Sequence, residues 1–381
     1  MRRSIVFTLI LLAIATKLIA TEDANTPSEP NQSTFVRSRR AGSGRNLRLP
    51  RPQRGRSGRQ RDESLRGDSI PGLVPLCDMG ADAEYKGRNG GLYGGGRNEP
   101  NETHQVVINA ELKKIQPLDT DGKPAKDGKI VFVSIGMSNT YREFKTFKEL
   151  ADKDPQKSES VFIIQAAQPS MDVVKWSDEN TINNFKYTPD GIERGKPVWS
   201  YIDKQLAEAG LAAKQVQVVW IKQARMMPQR DGAFPAHVKS YEEWLTRILQ
   251  IAKKRYPNLR VAYLSTRIYA GYSKRGLSPE PYAYENAFGV RNLIQQQVKG
   301  SAELIYDANR GPAKAPLILW GPYLWANGKT PRKTDGLTYL PEDFDVDMTH
   351  PGMKTGAVKV AKLLLKFLKT DHNAKGWFLK Q

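Results

Sequence analysis

Five short apolar runs punctuate the chain, at residues 130–135, 161–166, 216–221, 259–265 and 316–320. They are continuous rather than alternating, the pattern of strands buried on both faces. Between and after them the period changes. Residues 140–152, 197–209, 239–255, 282–298 and 354–369 space their apolar positions as helices do. In the last, Val358, Ala361, Leu364, Leu365 and Leu368 recur at helical spacing with lysines between them. Strand then helix, repeated, predicts a parallel sheet with helices on both faces. The expected fold class is α/β: three layers, α/β/α, around a parallel five-stranded sheet. Residues 105–118 alternate enough to suggest one or two strands. Residues 71–127 therefore read as an N-terminal loop and β extension, and residues 128–381 as the α/β domain.

Open parallel sheets bind ligands beyond the C-terminal ends of their strands. At one such end stands Gly136-Met137-Ser138-Asn139, where Gly136 permits a sharp turn. A helix is expected from about Thr140, so its N-terminal amides and dipole would face a charge developing at Ser138. Far downstream, Asp347-Met348-Thr349-His350-Pro351 precedes the last helix. An Asp three residues before a His can orient an imidazole on one tight turn. Brought together, Ser138, His350 and Asp347 would make a nucleophile, a general base and its orienter. The chain has only four histidines, at 104, 237, 350 and 372, which singles out His350. Asp345 and Asp343 are alternative orienters if the loop register differs, though the three-residue spacing favours Asp347. The bland reading makes Ser138 a helix cap and the Asp347–His350 segment a surface turn.

These two blocks, in this order and setting, resemble the SGNH (GDSL-like) hydrolase superfamily. The resemblance covers roughly residues 128–370. It is nearest a secreted, sialate O-acetylesterase-like branch from planctomycete-type bacteria. Val219-Trp220-Ile221-Lys222-Gln223-Ala224, Glu280-Pro281-Tyr282-Ala283-Tyr284-Glu285 and Trp320-Gly321-Pro322-Tyr323-Leu324-Trp325 carry that likeness. It implies a flavodoxin-like SGNH hydrolase fold and a serine esterase that removes O-acyl (acetyl) groups from a carbohydrate, with no cofactor and no metal. The family places an oxyanion-hole glycine in a second block and an asparagine in a third. Here the second block reads Gln165-Ala166-Ala167-Gln168-Pro169-Ser170-Met171, where relatives tend to have glycines near 169–170. Pro169 has no N–H, which leaves Ser170 to supply the amide. The third reads Lys222-Gln223-Ala224-Arg225, with Gln223 in place of Asn. The expected oxyanion hole is therefore Ser138, Ser170 and Gln223. The departures also admit a catalytically degenerate relative that binds polysaccharide in the same cleft.

Arg225, Arg267, Tyr269, Tyr282, Tyr284 and Trp325 are candidates for the substrate rim, since aromatics with a few arginines suit a sugar or a carboxylate. Gly90–Gly96 reads as a surface loop near that rim, anchored by Tyr93. It lacks the Gly-Lys-Ser/Thr ending of a phosphate loop. Asp119-Thr120-Asp121-Gly122 reads as a turn, since the later ligands of a calcium loop are missing. Asn101-Glu102-Thr103 fits a glycosylation acceptor in a host with that machinery.

Composition changes the picture at the N-terminus. Met1–Ala20 reads as a secretory signal peptide, with Arg2 and Arg3, an apolar stretch from Ile5 to Ala15, and Ala20 for cleavage. The protein is thus expected to be exported, with an uncleaved anchor as the alternative. Arg37–Arg61 holds ten arginines, no lysine and no acid among Gly, Ser, Pro and Gln. Such a segment buries too little to fold, so residues 21–70 read as a disordered Arg-rich leader. The formal net charge is +19, of which residues 1–70 carry +8. The bland reading of the leader is a solvated linker between the signal and the domain; as a binding segment, it would suit an anionic polysaccharide or surface better than nucleic acid, which export disfavours. A single cysteine, Cys77, excludes an internal disulfide and a cysteine-rich metal site.

Overall fold

The computed structural model describes residue 64 and residues 66–380. The expected signal peptide and nearly all of the expected leader lie outside the described residues. The chain first forms a two-residue-per-strand hairpin, β1 (Glu84–Tyr85) and β2 (Arg88–Asn89), then a helix, α1 (Glu102–Leu112). That helix replaces the strands expected at 105–118. Asn101 caps it, accepting from His104 N–H at 2.8 Å. His104, Ile108 and Glu111 are its buried positions, a helical spacing that the local alternation conceals. Asp119 then closes the expected turn, its Oδ1 accepting from the Asp121 and Lys123 amides at 2.9 Å each.

The α/β part follows in the expected order. It comprises β3 (Ile130–Gly136), α2 (Ser138–Ala151), β4 (Val161–Ile164) and the single turn α3 (Val173–Trp176). A small hairpin, β5 (Ile182–Asn183) with β6 (Lys196–Pro197), precedes α4 (Ser200–Glu208). Then come β7 (Val216–Lys222), α5 (Ala236–Arg255), β8 (Val261–Ser265), α6 (Tyr282–Val298), β9 (Leu317–Trp320), α7 (Gly356–Thr370) and α8 (Lys375–Phe378).

Strands β4-β3-β7-β8-β9 form one sheet, parallel throughout. Counted within the sheet this is the order 2-1-3-4-5, the flavodoxin-like winding. All residues of β3, β7, β8 and β9 are buried, which is why their sequences run apolar without alternation. Helices α2 and α7 pack on each other, as do α5 and α6, giving the two outer layers. On α7 the buried stripe is Ala357, Val360, Ala361, Leu364 and Leu368, so Val360 rather than Val358 faces the core. No helix among the described residues is long and apolar enough to cross a membrane.

In this winding the order reverses beside β3, and the crevice opens at the C-terminal ends of β3 and β7. Gly136 and Lys222 are register partners at those ends. A Cβ on Gly136 would stand 2.3 Å from Thr140 Oγ1 and 2.6 Å from the Lys222 carbonyl oxygen. Glycine is needed there so that α2 can start hard against β7.

Candidate active site

Ser138 is the first residue of α2, half-buried at the sheet's C-terminal edge. Met137, the preceding cap residue, offers no side-chain acceptor to the helix. The first-turn amides of Ser138 and Asn139 therefore have no intrahelical partner.

The partner block is a closed loop. Phe344 and Pro351 form an antiparallel bridge, Asp345 N–H donates to the His350 carbonyl at 2.9 Å, and Gly352 N–H donates to the Asp343 carbonyl at 2.9 Å. Met348, at the tip, adopts a left-handed φ of 53°. Asp347 Oδ1 accepts from the amides of Thr349 and His350 at 3.0 Å each. Its Oδ2 lies 2.6 Å from His350 Nδ1, and His350 Nε2 lies 2.8 Å from Ser138 Oγ. The three side chains stand in line. The two alternative acids are otherwise engaged: Asp345 pairs with Arg142 and Asp343 with Lys359.

Burial would raise the Asp347 carboxyl. Hydrogen bonds from the His350 amide, the His350 ring and the Thr349 amide outweigh it and bring the group down to about 2. It is therefore a carboxylate throughout the neutral range. His350 is shifted below the ordinary histidine value, chiefly by burial; the Asp347 carboxylate opposes this, and the charges of Arg142 and Arg267 add to it. A neutral imidazole follows, held by Asp347 in the tautomer that leaves Nε2 free to accept from Ser138.

The segment after β4 folds back onto Gly136, whose carbonyl accepts from the Gln168 amide at 2.9 Å and from Trp176 Nε1 at 3.2 Å. Ser170, in that segment, is half-buried with φ 64°, a left-handed conformation that glycine adopts most readily. Its carbonyl accepts from Lys175 Nζ at 2.7 Å, while its amide has no acceptor among the described residues. Gln223, just past β7, is 1% exposed, and neither of its side-chain amide atoms has a hydrogen-bond partner among the described residues. It faces a hollow of about 10 Å³ lined by Met137, Asn139, Thr140 and Arg267. The hollow adjoins the Ser138 turn, but no solvent reaches the Gln223 amide.

The expected rim is only partly assembled. Arg225 is committed elsewhere, to Asp172 at 2.8 Å and Asp231 at 3.0 Å, and thereby clamps the Ser170 segment to the loop after β7. Tyr282 is half-buried, its ring centroid 4.8 Å from that of His237. Trp325 is a correction. It is 0% exposed, donates Nε1 to Glu280 Oε1 at 2.8 Å, and packs against Tyr284, so it belongs to the core. Tyr269 and Tyr284 are likewise fully buried. An aromatic after a strand reads as rim or core by sequence alone, and here desolvation of a large ring decides for core.

Tyr93 is a second correction. Burial and the charges of Glu99 and Asp371 raise its hydroxyl. Asp371 directly follows α7, whose 15 residues span ~22 Å from the Gly356 end near His350. Tyr93 stands by the edge strand β9, its carbonyl accepting from Gln295 Nε2 at 3.0 Å while Trp320 Nε1 donates to the Leu92 carbonyl at 2.8 Å, and β7 and β8 lie between that edge and β3, which leads into Ser138. Cys77 is half-buried, and burial pushes its thiol up to about 11 against the Arg332 charge, which leaves it a poor nucleophile.

Four residues with no role assigned from sequence complete the site. Asn139 Nδ2 reaches the Thr349 carbonyl at 3.4 Å. Arg142, one turn after Ser138, donates to the Pro351 carbonyl at 3.0 Å. Below them Lys222 Nζ lies 2.7 Å from Glu143 Oε2, both side chains no more than 2% exposed. Only the i to i+4 placement of Arg142 relative to Ser138 was available as a signal. Among the described residues no cluster of His, Cys, Asp and Glu could hold a metal ion.

No family model and no curated protein matches this chain. Among solved structures, similar chains include a Bacteroides fragilis protein assigned as an acylhydrolase, at 13% identity and TM-score 0.34, covering 70% of this chain and 96% of that one. A carbohydrate esterase with divergent catalytic and non-catalytic binding functions matches at 11% identity and TM-score 0.35, covering 66% and 71%. A family 2 carbohydrate esterase from Myceliophthora fergusii with a carbohydrate-binding domain matches at 13% and 0.32, covering 66% and 68%. Likeness of this order assigns no function to the chain.

Proposed function

We propose that this protein is a serine ester hydrolase that removes O-acyl groups, acetyl above all, from a carbohydrate outside the cytoplasm. The observation that carries the reading is the unbroken relay from Asp347 Oδ2 to His350 Nδ1, 2.6 Å, and from His350 Nε2 to Ser138 Oγ, 2.8 Å. A surface turn with a capping serine has no need of that alignment. The acyl specificity rests on the resemblance of the sequence blocks, and export on residues 1–20.

Ser138 Oγ attacks the ester carbonyl as His350 Nε2 takes its proton, and Asp347 stabilises the imidazolium. The carbonyl oxygen, now negative, is held by the free amides of Ser138 and Asn139 at the positive end of α2 and by the unpaired amide of Ser170. The Gln223 side chain joins them only if its hollow opens. Collapse of the tetrahedral intermediate expels the sugar hydroxyl, which takes the proton from His350. Water, activated by the same imidazole, then releases the acid. No step requires a metal or a cofactor.

The second reading, a degenerate relative that binds sugars without turnover, is favoured by one observation, the burial of the Gln223 amide. The test is hydrolysis of p-nitrophenyl acetate and of an O-acetylated xylan, beside Ser138→Ala and His350→Ala. Activity lost in both variants supports the esterase. Equal residual activity in all three refutes the triad, and sugar binding without turnover supports the second reading.

A further inference from the structure

Two adjoining clefts open between α1 and the end of α6, with volumes of about 230 and 140 Å³, and share Asn101, His104 and Val298. They are remote from Ser138. Helix α6 spans ~25 Å, and Ile294, Gln295, Val298 and Lys299 lie in or just beyond its last turns.

Several independent features there suit an anion. Arg97 and Lys299 line one cleft and Arg310 the other, and no acidic side chain lines either. None of the three cations is in an ion pair among the described residues. The N-terminus of α1 opens into the same space. Its first-turn amides at Glu102 and Thr103 lack intrahelical acceptors, and its positive dipole end faces the cleft. The Asn101 side chain is engaged as the cap through Oδ1. Most telling is His104. It is 8% exposed, lines both clefts, and its ring makes no hydrogen bond among the described residues. An imidazole that no protein group satisfies leaves its ring nitrogens to water or to a ligand in the cleft. The walls are the half-buried rings of Tyr93 and Tyr306, with Gln295 Oε1 unspent because only its Nε2 is used, on the Tyr93 carbonyl at 3.0 Å. The acids nearby, Glu99, Glu102, Asp307 and Asp371, stand outside the lining.

We propose that this cleft binds a carboxylate-bearing saccharide, a uronate-type unit of an acidic glycan. Its carboxylate would sit between the start of α1 and the Arg97/Lys299 pair, and its ring against Tyr93 and Tyr306. Aromatic walls, amides and unpaired cations together match such a unit better than a neutral sugar or a bare phosphate. The site is independent of the Ser138 chemistry, so it stands or falls apart from the esterase reading.

The test is calorimetric titration of the full chain with trigalacturonate, which carries no ester, against a neutral galactose trimer and a short oligonucleotide. Arg97→Ala/Lys299→Ala, both at exposed positions, and His104→Phe, which fills the hollow, are titrated beside the parent after thermal melts confirm folding. All carry the same basic N-terminus, so differences report the cleft. Saturable binding of the uronate alone, weakened at least tenfold in both variants, is the expected result. No saturable binding by the parent, equal affinity in the variants, or tighter cleft-dependent binding of the oligonucleotide would overturn it.

Discussion

Arg267 Nη2 donates to the Thr349 carbonyl at 3.0 Å, one residue before His350, from a position only 3% exposed. Its other nitrogen, Nη1, holds the Leu277 carbonyl at 2.6 Å. The guanidinium thus ties the His350 loop to the segment that follows β8, and fixes the height of the imidazole over Ser138. Arg267→Lys keeps a charge but loses the fork. The expected result is a fall in kcat of roughly tenfold to a hundredfold with KM little changed, since a small misplacement of a reacting group costs that much. Unchanged kcat in a folded variant would show that the loop holds itself.

The acidic limb of the rate profile should lie below the ordinary histidine value of about 6.5. Burial and the neighbouring arginine charges disfavour the imidazolium, and the protein needs the neutral form as base. Arg142→Gln removes one of those charges. The imidazolium then becomes easier to form, so the limb should move to higher pH. A pH profile of kcat/KM for parent and variant checks both the position and the sign.

The Lys222–Glu143 pair, at 2.7 Å under the site, joins the end of β7 to α2. Thr140 Oγ1, donating to the Lys222 carbonyl at 2.6 Å, reinforces that joint. Removing one partner leaves a buried charge alone. Lys222→Met should destabilise by about 3–5 kcal/mol, and Lys222→Met/Glu143→Leu should recover most of the loss. Denaturant melts of the single and double variants measure the coupling; additive losses would show that the two charges act independently.

Ser170 holds a left-handed φ of 64° where only its amide is needed for the oxyanion. Ser170→Gly keeps that amide and removes the Cβ penalty, which for an L-residue is of order 1–2 kcal/mol before the added chain entropy of glycine is subtracted. The variant should match or exceed the parent in melting temperature and retain kcat within about twofold. A large loss of kcat would mean that the hydroxyl, rather than the amide, serves the reaction.

All five sheet strands and all five long helices of the α/β part were legible, because continuous apolar runs such as Ile130–Ile135 and the stripes of α5 and α7 report burial directly. Helix α1 was not, because Ile108, Ala110 and Leu112 alternate with Asn109 and Glu111 as in a strand, beside a cap whose effect depends on one Asn101 hydrogen bond. The positions of Ser138, Asp347 and His350 were readable as spacing, while their alignment depends on loops such as the Arg267 clamp, which spacing does not encode. Trp325 and Tyr93 misled for a related reason. Residue type marks an aromatic, but which side of the sheet end it packs on is a tertiary outcome.

The most direct measurement is intact-mass analysis of the purified protein after exposure to a fluorophosphonate, followed by peptide mapping, with His350→Ala and Ser138→Ala beside it. A single stoichiometric adduct on Ser138 is expected in the parent, none in Ser138→Ala, and labelling slowed at least a hundredfold in His350→Ala. No adduct on Ser138, or an adduct formed equally fast without His350, would contradict it.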